Sequence, residues 1–404
     1  MNNYIYILME LHYSKSGFAT CVVGPAYKCK NKKIPVNDYI SKIMEDTKKN
    51  KVTIETEINI GKYLKKKIKK KIVEDYFSLV DYTCSIKQKR SLKKCKLDYK
   101  KKYKILYSRN AGCKPITKNS KIFVKTKHNL KKIDVNNIIT NNIIANNKKY
   151  NKSLIIRKCG TLNDSDGAVI KLCFSKQNRK NNIKRLLKMI KLLHDNNVIQ
   201  FDIKEGNIVS NSDAKIRLID FGTSLIASSF NDIDINDDID NIIYTLFKTK
   251  LIGWTSYYLS PEFTILLEFY KYKHIEKATM IGILINKLIK IFGDSYFNNQ
   301  KYDELINLVD YAYNNKRDFI TQLFLNKSNK EIFKTDIYAA GIVLYDIFNY
   351  LSLKNLDINL NKDVFNHKDT NPTGHLIDLI YNMTHIDFRN RYTINQCLQN
   401  KYTT

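Results

Sequence analysis

The chain has 404 residues, 43% hydrophobic and 27% charged, with 69 Lys and Arg against 39 Asp and Glu for a formal net charge of +30. That length suffices for two or three units of ordinary domain size, each burying its own core, and it excludes a disordered or collagen-like chain. The positive field favours anionic partners such as nucleotides, nucleic acid, acidic proteins or an anionic membrane face, without choosing among them.

Residues 1–9 are apolar and aromatic but lack a basic start and run straight into Glu10 and His12, so no signal peptide is expected. The later apolar stretch 280–292 is broken by Lys287 and Lys290 and is too short to span a bilayer. The expectation is a soluble intracellular protein. Short β-prone runs at 4–8 and 20–23, then a helix-prone segment from Val52, predict a small sheet with a helix packed on it. Lysines crowd 62–71 and recur through 87–104 and 114–132. They read as a solvated helix face and surface loops, or as a patch for a polyanion or acidic partner.

An Asn-rich loop follows at 136–150. Residues 181–194 (NNIKRLLKMIKLLH) place Ile183, Leu186, Leu187, Ile190 and Leu193 on one face of an amphipathic helix. Strand-like pieces come at 207–210 and 215–219, and beyond Thr335 the pattern is largely helical. The sum is an α+β, bilobal architecture with a small β-rich N-terminal part and a larger helical C-terminal part. The eight cysteines show no CxxC pair and no histidines at zinc-finger spacing, so all are expected as free thiols in a reducing compartment.

Residues 198–224 read VIQFDIKEGNIVSNSDAKIRLIDFGTS. Asp202, Lys204 and Asn207 sit at the spacing of an HRDxKxxN catalytic loop, and Asp220, Phe221 and Gly222 form a DFG motif downstream; the segment resembles the eukaryotic-type protein kinases. Further matches are Ser260-Pro261-Glu262 in place of Ala-Pro-Glu, Asp336 in KTDIYAAGIVLYDIF, and Arg391 in DFRNRYT, expected to pair with Glu262. The run 14–29 (SKSGFATCVVGPAYKC) resembles the glycine-rich loop of kinases encoded by large nucleocytoplasmic DNA viruses, with only Gly17 kept of the usual glycines.

The resemblance implies a bilobal protein kinase-like fold binding ATP with Mg2+, or Mn2+ as the alternative ion. Phosphoryl transfer needs mainly positioning and charge neutralisation. Asp202 would take the substrate hydroxyl proton, Lys204 would reach the γ-phosphate, and Asn207 and Asp220 would give a hard cation its oxygens. Lys42 would hold the α/β-phosphates and pair with Glu57, Glu55 being the rival. Val22, Ile40 and Val209 would wall the adenine, with backbone near Arg157 and Cys159 as the hinge. Lys204 and Thr255 imply Ser/Thr acceptors on a protein substrate.

The expected organisation is an N-lobe at 1–158 with a Lys/Asn-rich insertion at about 85–152, and a C-lobe at 159–404 with insertions at about 225–252 and 266–329. The acidic run 231–241 starts like a calcium loop but lacks its Gly and closing Glu, so calcium is not expected. If the viral resemblance holds, the protein belongs in host cytoplasm or virion. Two alternatives stay open. One is a catalytically weak pseudokinase or scaffold, since Gln200 replaces the loop histidine and Gly61 a bulky spine residue. The other is a polyanion binder on a kinase scaffold, through 62–132.

Overall fold

The computed structural model describes residues 21–23, 26, 29, 33–35, 38–87, 101–109, 121–125, 130–134, 160–162, 168–211, 213–234, 236–251, 253–296, 299–325, 331–353 and 372–404. Strands β1 (Cys21–Val23), β2 (Tyr39–Glu45), β3 (Val80–Lys87) and β4 (Lys102–Arg109) form an antiparallel sheet in the order β1-β2-β4-β3. Between β2 and β3 run helices α1 (Lys48–Lys67) and α2 (Lys70–Tyr76). Thr47 caps α1 by accepting from Asn50 N at 3.2 Å, and Lys65, Lys66 and Lys67 in its last turn complement the helix dipole.

The segment 85–152, expected as an insertion, thus supplies β4, a strand inside the sheet. Alternation explains it: Tyr103, Ile105 and Tyr107 are buried on one face, and Leu106 is buried on the other against Met44, Ile54 and Val80. The lysines at 101, 102 and 104 hid that period-2 pattern in the sequence. A separate hairpin, β5 (Lys121–Lys125) with β6 (Leu130–Asp134), also falls within 85–152.

The expectation of eight free thiols fails at two positions, because Cys29 and Cys84 are joined by a disulfide. Cys84 lies opposite Ile105 on the sheet face that packs Tyr39, Ile43, Tyr103 and Tyr107, and Cys29 is buried in the same cluster. That apolar face brings together cysteines 55 residues apart, which no spacing rule reveals. Cys173 and Cys397 are unbridged and buried, and burial pushes the Cys397 thiol far up.

After β7 (Gly160–Thr161) the chain becomes helical with α3 (Ala168–Cys173) and α4 (Arg179–Asp195). On α4, Ile183, Leu186, Leu187, Ile190 and Leu193 are buried as one stripe. Short strands β8 (Val198–Ile199), β9 (Ile208–Ser210), β10 (Ile216–Leu218) and β11 (Leu225–Ile226) flank the loops that carry chemistry. Then follow α5 (Ile239–Thr245), α6 (Pro261–Lys271), α7 (Lys277–Phe292), α8 (Asn299–Asn314), α9 (Lys316–Ile320), α10 (Lys334–Leu353), α11 (Pro372–Met383) and α12 (Ile394–Gln399). Pro261 opens α6 where its missing N–H is harmless, and Thr393 with Gln396 closes a capping box on α12.

One apolar cluster runs from Ile60 and Leu64 of α1 through Phe77 and Phe221 to α4 and α10, so the two lobes share a core. A second cluster binds Phe201, Phe230, α6, α7 and α8. Among the described residues no helix is long and apolar enough to cross a membrane.

Candidate active site

Lys42 stands mid-strand in β2, and its Nζ donates to Glu57 Oε2 of α1 at 2.8 Å and to Asp220 Oδ1 at 2.7 Å. Register places Val22 and Leu106 opposite Lys42, and Ser108 opposite Ile40. Opposed residues share a sheet face, so all four lie on the lysine's side. That face runs from the sealed Leu106 to the exposed Val22.

Asp220 keeps 39% of its side chain exposed, against 14% for Lys42 and 6% for Glu57, and is therefore the member of the triad open to a ligand. Burial works against the Lys42 ammonium, but Asp220 and Glu57 outweigh it and hold the lysine above its ordinary value. One cation cannot satisfy two carboxylates equally. At Glu57 burial prevails over Lys42 and the carboxyl is raised; at Asp220 burial is outweighed by Lys42 and the carboxyl is lowered.

Asp220 has φ 59° and Phe201 has φ 62°, both in the left-handed region that costs a non-glycine residue about 1–3 kcal/mol. Specific bonds hold each in place. Gln200 Nε2 donates to Asp220 O at 2.8 Å, while Gln200 Oε1 accepts from Ser224 Oγ at 2.6 Å. Asp336, at the start of α10, accepts the backbone N–H groups of Gln200 and Phe201, each at 2.9 Å, and His194 Nε2 lies 3.1 Å from it. Gly222 is required by crowding: a Cβ there would lie 2.6 Å from Thr53 Cγ2 of α1. Phe221 is buried edge-on to Phe77 at 5.9 Å. At Gly61 a Cβ would lie 3.4 Å from Val80 O, an ordinary contact, so the packing of α1 on β3 does not itself demand glycine there.

Around Asp202 three donors converge. Thr255 Oγ1 donates to Oδ1 at 2.6 Å, Asn207 Nδ2 donates to Oδ2 at 2.9 Å, and Lys204 Nζ lies 2.6 Å from Oδ2. Lys204 Nζ also donates to Thr255 Oγ1 at 2.8 Å. Asn207 Nδ2 donates to Asp202 O and Oδ2, while Ile219 N donates to the Asn207 backbone oxygen at 3.0 Å and registers this loop against Asp220.

Among the described residues no group of three or more His, Cys, Asp or Glu is disposed to hold a metal. Asn207 and Asp220 offer two hard oxygens, and magnesium typically takes one or two protein oxygens and completes its shell with phosphate and water. The donor set fits such an ion and no dedicated protein cage.

The structure thus brings Lys42, Glu57 and Asp220 together, and Asp202, Lys204, Asn207 and Thr255 together. Val22 and Ile40 share the lysine's face, and Val209 is half-buried in β9 opposite Arg217 and Thr161. Gly17, Arg157 and Cys159 lie outside the described residues. Sequence reasoning missed Leu106 and Ser108 beside Lys42, and missed Ser224 as the partner of Gln200, for which no spacing rule gives a signal.

Farther off, Arg391 Nη1 and Nη2 donate to Glu262 at 2.8 and 2.9 Å with both side chains fully buried. Among known proteins, the chain is 26% identical over 224 residues, 54% of its length, to the stress-activated protein kinase JNK of Suberites domuncula, covering 52% of that protein. It is 27% identical over 127 residues, 31% of its length, to the mitogen-activated protein kinase spm1 of Cytospora mali, covering 27% of it. The chain therefore matches from about a quarter to about half of the length of these curated relatives. A solved structure, "ROP18 kinase domain in complex with AMP-PNP and sucrose", aligns over 90% of this chain and 71% of that one at 13% identity and a TM-score of 0.39. The family described as "Protein kinase domain" matches residues 94–403, well over half of the chain, with Lys42 and Glu57 preceding the match. The chain belongs to the protein kinase domain family.

Proposed function

We propose that the protein transfers the γ-phosphate of ATP to Ser or Thr hydroxyls of a protein substrate. The observation that carries this reading is the convergence of Lys204, Asn207 and Thr255 on the Asp202 carboxylate. Asp202 Oδ1 is held where an acceptor hydroxyl that displaced Thr255 Oγ1 would hand over its proton. Lys204, between Asp202 and Thr255, supplies positive charge toward the transferring group, and Lys42 does the same from the opposite lobe. Asn207 and Asp220 would hold magnesium, which supplies neutralisation of phosphate charge. Ile40, Val22 and Val209 are apolar walls suited to a planar base. The direct test is transfer of radiolabelled phosphate from ATP to casein, with Asp202→Asn as the control; equal transfer by both proteins would end this reading of the loop.

The scaffold reading draws on Gln200, yet its amide holds the Asp220 carbonyl and therefore supports a working metal ligand. The finer placement among kinases of large DNA viruses rests on the 14–29 pattern alone. The alternative of a polyanion partner rests on the exposed Lys62, Lys66, Lys67, Lys69 and Lys71 around the α1–α2 junction. Binding of inorganic polyphosphate that failed to weaken between about 50 and 200 mM salt would remove it.

A further inference from the structure

Between Gly222 and Thr255 the described residues form short pieces: β11, a 3-10 turn at Ala227–Phe230, the seven-residue α5, and a π-turn at Leu246–Lys250. Helical pieces this short do not persist on their own, so their order comes from what they touch. Five aspartates, Asp232, Asp234, Asp237, Asp238 and Asp240, crowd this stretch and repel one another. The residue before Asp202 is Phe201, which cannot receive a phosphate.

The contacts that order the segment come from the helical region after α6. Phe324 packs on Phe230 at 5.0 Å and on Phe263 of α6 at 5.6 Å, and Phe263 stands edge-on to Phe201 at 5.1 Å. A ladder of four rings therefore connects the catalytic loop to the activation segment, and its third ring belongs to the insertion. At the acidic loop, Lys316 Nζ donates to Asp240 Oδ1 at 2.9 Å, and Arg317 Nη2 donates to Asp237 O at 2.9 Å. The Lys316 bond holds the Asp240 carboxyl below its ordinary value. At the far end, the half-buried Lys287 of α7 donates to Leu259 O and, at 2.8 Å, to Thr264 Oγ1.

We propose that residues 277–325 form an internal clamp whose positioning residues Phe324, Lys316, Arg317 and Lys287 hold the activation segment in its substrate-accepting shape without phosphorylation. The clamp rests on the kinase reading for its purpose, since the segment carries Thr255, the partner of Asp202, toward the Leu259 carbonyl that Lys287 holds. It acts on the acceptor side of the site, so its loss changes protein-substrate use and spares ATP use.

The test uses the full chain with Phe324→Ala, Lys316→Asp, Asp240→Lys and the Asp240→Lys/Lys316→Asp swap. Amide hydrogen exchange is followed across 227–251, together with the KM for casein and the KM for ATP. Phe324→Ala is expected to speed exchange there about tenfold and raise the casein KM about fivefold, with the ATP KM within about twofold of wild type. Lys316→Asp is expected to move both readouts about threefold in the same direction, and the swap to restore them. Lys316 lies toward the surface, so its variant decides the matter if Phe324→Ala does not fold. Unchanged exchange in the folded variants, faster exchange with an unchanged casein KM, or a swap that restores nothing would overturn the clamp. A wild type without phosphoryl transfer would instead overturn the kinase reading, and the exchange data would then show whether the contacts order the segment at all.

Discussion

Glu262 and Arg391 meet as a bidentate pair with both side chains fully buried, whereas Lys42 is shared between two carboxylates, one of them 39% exposed. The difference lies in saturation. The Arg391 guanidinium also donates to the backbone oxygens of His385 and Lys334, at 3.0 and 3.2 Å for the nearest, so little of its bonding capacity is left over. The cleft lysine instead serves two anions that compete, leaving Glu57 raised and Asp220 lowered and open. A sealed pair fixes shape; an over-subscribed, accessible one is poised to take a ligand. Substitutions should accordingly separate the two, with folding failing at one and chemistry at the other.

The largest effect is expected in the cleft. Asp202→Asn, Asp220→Asn and Lys42→Met should each leave a folded protein whose phosphoryl transfer falls by about 10³ or more, about 4 kcal/mol in barrier terms. Radiolabel transfer alongside thermal unfolding checks it. An inactive variant that had also lost its fold would erase the contrast with the sealed pair.

At the sealed pair, Arg391→Ala strands a buried carboxylate and should destabilise the protein by about 3–5 kcal/mol. Denaturant unfolding measures it. A loss below about 1 kcal/mol would mean that Glu262 finds water or another donor, as surface pairs do.

A third network behaves like the sealed pair but titrates within reach. Glu304 is half-buried, which by itself would raise its carboxyl, yet contact with His385 and the Lys301 ammonium, 2.8 Å from Oε2, holds it down at about 2. Its folded pKa lies below the ordinary value of 4.5, so the associated stability is present above pH 4.5 and is lost as pH falls toward 2. The loss is on the order of 3 kcal/mol. Glu304→Gln should remove most of that acid dependence in unfolding measured across this window. A mutant whose acid slope matched wild type would show the charge to be unimportant.

Gln200 joins the two kinds of site, since it is buried like Arg391 and holds the backbone of the exposed Asp220. Gln200→Leu removes the side-chain donor to the Asp220 carbonyl and leaves Ser224 Oγ only its longer, 3.3 Å bond to the residue-200 backbone oxygen, at a cost of about 1–3 kcal/mol. It should raise the magnesium concentration for half-maximal activity more than the KM for ATP. Gln200→His keeps a donor toward Asp220 O and should recover most of the loss. Equal behaviour of the two variants would show that Gln200 merely fills space.

The bilobal order of elements and the catalytic loop were legible because they rest on short-range patterns: the 3.6-residue stripe of α4 and the fixed spacing from Asp202 to Gly222. What escaped depends on pairing across distance. Strand β4 was hidden because lysines occupy half of its early positions, and its role shows only when Leu106 is opposite Lys42. The Cys29–Cys84 bridge, the Gln200–Ser224 bond and the Phe201–Phe263–Phe324–Phe230 ladder likewise join residues that no window of sequence contains together.

The smallest expected effect is the response to phosphorylation of the activation segment. A phosphate there would switch the protein only by gaining a charged receiver, and Phe201 is packed among rings where an arginine would be needed. Its neighbourhood already contains Asp232, Asp234, Asp237, Asp238 and Asp240, so an added dianion meets repulsion unless it displaces Asp240 from Lys316. Phosphatase-treated and autophosphorylated protein should therefore differ less than about tenfold in initial rate at saturating ATP, under about 1.4 kcal/mol. A larger rise that vanished on replacing Thr223, Ser224, Ser228, Ser229 and Thr245 would show that a phosphate can do what the aromatic contacts were taken to do. Because Ser224 also bonds Gln200, the four other positions replaced without it give the cleaner comparison.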